Sequence, residues 1–312
     1  MRAFIFPGQG SQAVGMGAAL AEASPAARDV FAEVDEALGQ NLFRLMREGP
    51  EDELRLTENA QPAIMAHSIA AFRALVREGG VDLTKAASFV AGHSLGEYSA
   101  LCAAGSLDLA TTAKLLKLRG QAMQRAVPVG EGAMCALLGA DLALARRIAE
   151  VAAQGEMCTV ANDNDPSQVV LSGHKVAIDR AIEVAREMGA KRAVPLPVSA
   201  PFHCPLMQPA AEAMRDALSY VVLEAPAVPV FANVTAQAES DPDTIRGLLV
   251  EQVTGMVRWR ESVANMAEAG IEEFVELGGK VLGAMVKRIA PDAKVTSVVT
   301  IDDVEALARE IG

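Results

Sequence analysis

The sequence predicts an α/β fold, and three observations carry that expectation. Strand-like and helix-like patterns alternate from one end of the 312 residues to the other. The opening run RAFIF (residues 2–6) is apolar without alternation, as a strand buried on both faces would be. The stretch from 130 to 195 has a β-α-β-β-α-β rhythm of its own, set inside a chain that otherwise reads as one larger unit.

After the strand at 2–6, Ser24-Pro25 offers an N-cap followed by proline at the first helical position. Val30, Val34 and Leu38 then recur every four residues, which predicts a helix over 25–38. Met65, Ile69, Phe72 and Val76 form a second helical stripe, with Pro62 near its start and Gly79-Gly80 stopping it. A short apolar run at 88–91 reads as a strand, 95–104 as a helix, and Asp108 as the cap of a helix running to about 126. Strands at 133–138, 157–161, 167–172 and 191–194, with helices at 141–153 and 175–188, give the order of a ferredoxin-like unit. Gly130-Glu-Gly132 precedes it and Pro195-Leu-Pro197 follows it. The predicted organisation is therefore a large domain of residues 1–128 and 198–312, interrupted by an inserted small domain at 129–197. Helices at 206–218, 243–253, 260–269, 281–289 and 301–310, and strands at 228–232, 272–276 and 295–299, return to the large domain.

Composition narrows the function classes. With 51% hydrophobic and 22% charged residues the chain is an ordinary globular one, long enough to bury about three-quarters of its unfolded surface. No apolar run approaches the roughly 20 residues that cross a bilayer, and the N-terminus does not read as a secretory signal, so a cytoplasmic protein is expected. The cysteines at 102, 135, 158 and 204 stand alone, without metal-ligand spacing, and are expected to be reduced. A net charge of −12 argues against a general nucleic-acid binder.

Gly8-Gln9-Gly10-Ser11-Gln12-Ala13 fits G-x-G-x-x-(G/A), the dinucleotide fingerprint. That reading requires a second strand ending in an acid about 20 residues on. Here Glu33 and Asp35 lie inside the helical stripe, and Pro7 occupies the hand-over to the turn. The context therefore removes the dinucleotide reading and leaves either a surface turn or a role set by the rest of the chain.

Gly92-His93-Ser94-Leu95-Gly96 fits G-x-S-x-G between a predicted strand and a predicted helix, the setting of a nucleophile elbow. Small residues flank the serine because the turn is tight. The next N–H, that of Leu95, can face the oxyanion of an attacked acyl carbon. A Gly-rich turn without catalysis is the plainer alternative. The serine needs a base, and the chain has four histidines. His67 lies within a predicted helix, His93 adjoins the serine and points away from it, and His174 lies in the insertion. His203, in a proline-bracketed segment at the re-entry to the large domain, is the favoured base. No Asp or Glu stands out as the acid that would orient it.

Along the helix from 108 to 126, Lys114, Lys117, Gln121, Gln124 and Arg125 share one stripe, while Arg119 has Leu115, Leu116, Ala122 and Met123 as its neighbours. A guanidinium on the buried face needs an anion. Either an internal Asp or Glu supplies it, or Arg119 is a clamp for a substrate carboxylate. A serine nucleophile beside such a clamp suggests transfer of a dicarboxylic acyl group.

PGQGSQ, GHSLGEY, the arginine of KLRGQAM, PFHCPLM and EQVTGMVRW occur in this order. Together they closely resemble the malonyl-CoA:acyl carrier protein transacylases of bacterial fatty-acid synthesis, and the acyltransferase modules of polyketide synthases. The resemblance spans essentially the whole chain. It implies a hydrolase-like large domain with a mainly parallel sheet and a ferredoxin-like insertion. It also implies malonyl transfer from malonyl-CoA to the phosphopantetheine thiol of acyl carrier protein, by a ping-pong route through malonyl-Ser94. No permanently bound cofactor and no metal are implied, and the coenzyme A thioester enters as substrate. Carried onto this chain, Ser94 is the nucleophile, His203 the base and Gln252 the orienting group in place of the acid. Arg119 holds the malonyl carboxylate, and Gln9 supplies an oxyanion contact beside Leu95. Phe202, an aromatic next to the base, implies preference for malonyl over methylmalonyl groups. Because acyl carrier proteins are acidic, docking needs a basic patch on this acidic chain. Lys114, Lys117 and Arg125, with Lys191-Arg192, are either that patch or merely solvated cations. A polyketide pathway, and a serine hydrolase of acyl thioesters, are the alternatives. Glu276-Leu-Gly-Gly-Lys-Val281 is one residue shorter than the family's usual turn and lacks the Ser or Thr of a phosphate loop.

Overall fold

A computed structural model of the chain describes residues 1–198 and 200–312; Ser199, at the head of the segment carrying His203, lies outside the described residues. Ten strands run in chain order as β1 (Arg2–Phe6), β2 (Phe89–Gly92), β3 (Gly132–Leu138), β4 (Cys158–Asp165), β5 (Gln168–His174), β6 (Arg192–Pro195), β7 (Val230–Phe231), β8 (Ala238–Glu239), β9 (Glu273–Leu277) and β10 (Lys294–Val298). They form two sheets. One has the order β10-β9-β1-β2-β7-β8 and is parallel except at its β7–β8 edge. The other, β4-β5-β3-β6, is antiparallel throughout.

The apolar run at 2–6 becomes the centre of the parallel sheet because its side chains have burial available on both faces. Phe4 and Phe6 enter one core, with Val90, Val275 and Leu277. Ala3 and Ile5 enter the other, with Ala91, Phe274 and Trp259. A third cluster, built on Leu137, Ile148, Leu171 and Ile178, lies between the antiparallel sheet and its two helices. The sequence-based helices at 25–38 and 108–126 are found as Pro25–Leu38 and Leu109–Ala126, with Ser24 and Asp108 accepting the capping N–H bonds. The helix around Pro62 is longer than its pattern indicates, Thr57–Arg77, so the proline sits in the second turn and not at the start. Four short helices, Ala18–Ala23, Leu42–Glu48, Glu51–Arg55 and Leu83–Ala86, show too little periodicity in the sequence to be read there. No helix among the described residues is long and apolar enough to cross a membrane.

Parallel strands end on the same side of a sheet, and their C-terminal loops gather there. Phe6 is in register with Gly92, and the His93 N–H donates to the Phe6 carbonyl at 3.0 Å. The loop after β1 and the turn after β2 are thus neighbours. Their glycines are required by contact. A Cβ on Gly92 would lie 1.9 Å from the Gly96 carbonyl, and one on Gly96 would lie 2.3 Å from the Phe6 carbonyl oxygen. The third β-end, after β9, is closed by Glu276. Its carboxylate accepts the N–H groups of Val281, Leu282 and Gly283 at the start of helix Leu282–Ile289. That terminus is therefore already occupied by an anion of the chain itself, consistent with its not being a phosphate loop.

The two sheets are fastened along β4. Asp163 and Asp165, both essentially buried, pair with Arg260 at 2.8 Å and Arg288 at 2.7 Å from the helices beyond β8. Backbone bonds join Val257 to Ala161 and Asp163. Register shifts on either side of Asn162 and Asp163 bend β4. Asn162 and Asn164 then line the cleft between the sheets.

Gly92→Ala is expected to lower the melting temperature by more than about 5 °C, since the clash is with backbone that cannot yield. Gly247→Ala, in an open position of helix Pro242–Thr254 with nothing near the added methyl, is expected to stabilise by roughly 0.5–1 kcal/mol. Thermal denaturation of the two variants checks both.

Candidate active site

Ser94 follows β2 with φ 52°, and His203 has φ 56°; both are in the left-handed region that a non-glycine residue enters only when its surroundings hold it there. The strain is held by hydrogen bonds. The Ser94 N–H donates to Asn233 Oδ1 at 2.8 Å, and Asn233 Nδ2 donates to the Gly92 carbonyl at 2.7 Å, so one side chain staples both ends of the turn. His203 is placed where the chain re-enters between Pro201 and Pro205. Its Nε2 lies 2.7 Å from Ser94 Oγ and its Nδ1 lies 2.8 Å from the main-chain carbonyl of Gln252. A carbonyl can only accept, so Nδ1 carries the proton. Nε2 then presents a lone pair to the serine hydroxyl.

Gln252 meets His203 through its main chain. An orienting group in place of the usual acid is present, and it is the peptide carbonyl of Gln252. The side-chain amide turns elsewhere, with Nε2 donating to Ser94 O at 3.0 Å and to Glu97 Oε2 at 2.9 Å, and Oε1 accepting from Arg119 Nη2 at 3.0 Å. At Gln9 the side chain and the main chain are differently engaged. Its amide donates to Thr57 Oγ1 at 3.4 Å, whereas the main-chain N–H groups of Gln9 and Leu95 have no hydrogen-bond acceptor among the described residues. Gly8 lets this loop close on the elbow, since a Cβ there would lie 2.6 Å from the His93 carbonyl oxygen.

Arg119 lies on the buried face of helix Leu109–Ala126, 1% exposed. No Asp or Glu pairs with it among the described residues. Nη1 donates to Gln61 Oε1 at 2.8 Å, and Nη2 reaches Gln252 Oε1 and, at 3.2 Å, Ser94 Oγ. The Nε–H is buried without a partner among the described residues, and the guanidinium carbon stands 5.8 Å from the centre of the Tyr98 ring. Ser94, His203 and Arg119 all open on a cleft of about 430 Å³, which Phe202, Met123 and Val170 also line. Of the predicted site residues, Leu95 is buried beneath the cleft with its N–H at the start of helix Gly96–Ala103.

Burial dominates the site's electrostatics. It pushes His203 down to about 3, helped by the Arg119 charge and opposed by the Gln252 carbonyl, so the imidazole is neutral at neutral pH. It pushes the Glu97 carboxyl up to about 7, against the Asn233 N–H, the Gln252 amide and Arg119. His93, turned away from the serine, bonds Asn164 at 2.8 Å and is lowered by burial.

Gln61, Glu97, Asn164 and Asn233 were not legible as site residues. Glu97 alone left a trace, as an acid among apolar neighbours directly after the elbow. On the proposed basic stripe, Lys114 and Arg125 are exposed, whereas the Lys117 ammonium is taken up by Gln40, Asn59 and Glu58. Lys191 and Arg192 are exposed.

Residues 3–299 match the acyl transferase domain family. The chain belongs to that family. It is 45% identical to the malonyl CoA-acyl carrier protein transacylase of Escherichia coli (strain K12) over 310 residues, 99% of each chain. Among solved structures it superposes on an acyl-carrier-protein-S-malonyltransferase from Bartonella henselae with a TM-score of 0.97 and 52% identity, covering 100% of this chain and 99% of that one. It likewise matches a malonyl-transacylase held in complex with its type II PKS acyl-carrier protein, with a TM-score of 0.95 and 41% identity over 99% of both chains.

His67, buried in helix Thr57–Arg77 against the Val299 and Gly278 backbone, is lowered to about 4 by burial, alongside His203 at about 3. Unfolded histidines protonate near 6.5, so both groups favour the folded state above that pH, and this contribution is lost as pH falls towards their folded values. Unfolding free energies of the wild type should therefore fall between pH 6.5 and about 4.5 more steeply than those of His67→Gln, as urea titrations across that window would measure.

Proposed function

We propose that the protein transfers malonyl groups from malonyl-CoA to the phosphopantetheine thiol of acyl carrier protein through malonyl-Ser94. The observation that carries this reading is a buried guanidinium with no acidic partner, one hydrogen bond from a serine that is itself bonded to a neutral histidine. Such a cation is costly unless the substrate completes it, and a carboxylate two carbon atoms from the serine ester can do so.

His203 Nε2 takes the Ser94 proton as Oγ attacks the thioester carbon. The oxyanion forms where the Leu95 and Gln9 N–H groups are free to donate, each worth roughly 2.7–4 kcal/mol of barrier. The carbon–sulfur bond breaks and His203 returns the proton to the departing coenzyme A thiolate. The carrier thiol then gives its proton to His203 and attacks malonyl-Ser94. The new thioester leaves, and Ser94 regains its proton. The Gln252 carbonyl holds the imidazole in the one tautomer that serves both half-reactions, and it stabilises the imidazolium between them.

In this reading the parallel sheet with its elbow is a hydrolase-like domain of residues 1–128 and 198–312. The antiparallel β4-β5-β3-β6 order is that of a ferredoxin-like insertion at 129–197. The protein works in the cytoplasm without a permanently bound cofactor. Fatty-acid synthesis is the process it serves. The similarity to a type II PKS partner complex supports a polyketide pathway as the second reading.

Intact-mass spectrometry after mixing with malonyl-CoA should show one added malonyl group, discharged by carrier protein and absent in Ser94→Ala. Release of free malonate without a carrier would instead make the protein a hydrolase. Arg119→Ala should lower malonyl acylation at least about tenfold relative to acetyl acylation, and an equal fall in both would remove the clamp. Phe202 is buried next to the base and lines the cleft, and in this reading its ring would crowd an α-methyl group. Methylmalonyl-CoA should acylate slowly, and Phe202→Ala should narrow the gap. Equal rates in the wild type would sink the selectivity role.

A further inference from the structure

The chemistry above gives no part to a buried carboxyl that lies beside the site. Glu97, in the first turn of helix Gly96–Ala103, is 1% exposed and pairs with no lysine or arginine among the described residues. A single oxygen, Oε2, accepts the Asn233 N–H at 2.9 Å and Gln252 Nε2 at 2.9 Å. Two arms run from it. Through Asn233 it reaches the strained elbow, whose Ser94 N–H and Gly92 carbonyl that residue holds. Through Gln252 it reaches the clamp, since Oε1 of that amide accepts from Arg119 Nη2 at 3.0 Å.

The direction of the second arm is set by the acceptors around the Gln252 amide, of which ionised Glu97 is the charged one. A carboxylate only accepts, so the Gln252 amide must turn its NH₂ edge towards it. The same edge also meets Ser94 O and Asn233 Oδ1, and the oxygen edge is left facing Arg119. A neutral amide at position 97 donates as readily as it accepts. Gln252 could then flip and set its NH₂ against the guanidinium, donor against donor. Arg119 would keep its bond to Gln61 and lose the charge-assisted one that aims it.

We propose that Glu97 is a positioning residue that fixes the polarity of the Gln252 amide and thereby aims Arg119 at the carboxylate of the acyl group on Ser94. The proposal rests on the reading of Arg119 as the malonyl clamp. It assigns Glu97 no contact with substrate.

Initial rates of acylation from malonyl-CoA and acetyl-CoA, measured at about pH 8 where the carboxyl is ionised, test it in the full-length protein with melting temperatures recorded alongside. Glu97→Gln is expected to lower kcat/KM for malonyl-CoA about tenfold or more, the size of one charge-assisted hydrogen bond, and to leave that for acetyl-CoA within about threefold. Should Glu97→Gln fail to fold, Gln252→Met, which keeps the main-chain carbonyl and removes the amide, is read on the malonyl-to-acetyl ratio alone and is expected to lower that ratio about tenfold. An unchanged malonyl-to-acetyl ratio, or an equal loss for both acyl groups, overturns the proposal. Arg119→Ala runs beside them as the separating control. If it too leaves the ratio unchanged, the clamp reading itself has failed; if it alone collapses the ratio, only the role of Glu97 has.

Discussion

A guanidinium buried without a carboxylate partner organises this molecule's site. Removing a charge from water is expensive, and a protein built only for stability would place an acid beside it. Here Arg119 is given amide oxygens from Gln61 and Gln252, a serine hydroxyl and the face of Tyr98. Each is neutral and each leaves the positive charge unspent. The one acid nearby, Glu97, is kept a residue away behind Gln252. The protein thus holds a cation without an anionic partner at hydrogen-bond distance from Ser94 Oγ, and in the proposed function the carboxylate of the acyl group completes it. The same charge, with burial, keeps His203 unprotonated and able to take a proton.

That arrangement depends on backbone contacts that tolerate no side chain. The elbow closes because Gly92 and Gly96 meet directly, and because Gly96 lies on the end of β1. The loop after β1 comes close to the elbow because Gly8 carries no Cβ to strike the His93 carbonyl. Asn233 then holds a serine backbone in a conformation that would otherwise relax. Close approach and strain are paired here. The glycines make the turn tight enough to lift the hydroxyl above the sheet, and the asparagine keeps it there.

The cleft has two walls from two sheets, and electrostatics fixes their relation. Asp163 and Asp165 are buried on bent β4 and are matched by Arg260 and Arg288 from helices of the large core. Asn162 and Asn164 line the cleft, where Asn164 holds His93 away from the serine. Alternation along the strand thus gives Asp163 and Asp165 to the arginines on one side and Asn162 and Asn164 to the cleft on the other.

Much of this was legible in the sequence, for reasons that are local. The unbroken apolar run at 2–6 needs burial on both faces. Ser24 and Asp108 announce helix starts, the spacing of small residues around Ser94 announces a tight turn, and the helical period alone puts Arg119 inside. The unread parts are those where a residue's role is set by a partner far along the chain. Nothing near Gln252 says that its carbonyl, and not its amide, will meet His203; that follows from the helix Pro242–Thr254 being held against the elbow. Lys117 looks solvated until the loop bearing Gln40 and the start of the helix bearing Asn59 close over it. Gln61, Asn233 and Glu97 are ordinary polar residues in sequence, and only their convergence gives them a direction. The sequence by itself determined the α/β class, the tight turn around Ser94 and the buried face on which Arg119 lies, because each is written in local spacing. Tertiary structure decided which atom of each residue faces which partner, because hydrogen bonds between donors and acceptors more than a hundred residues apart exist only once the sheets are packed.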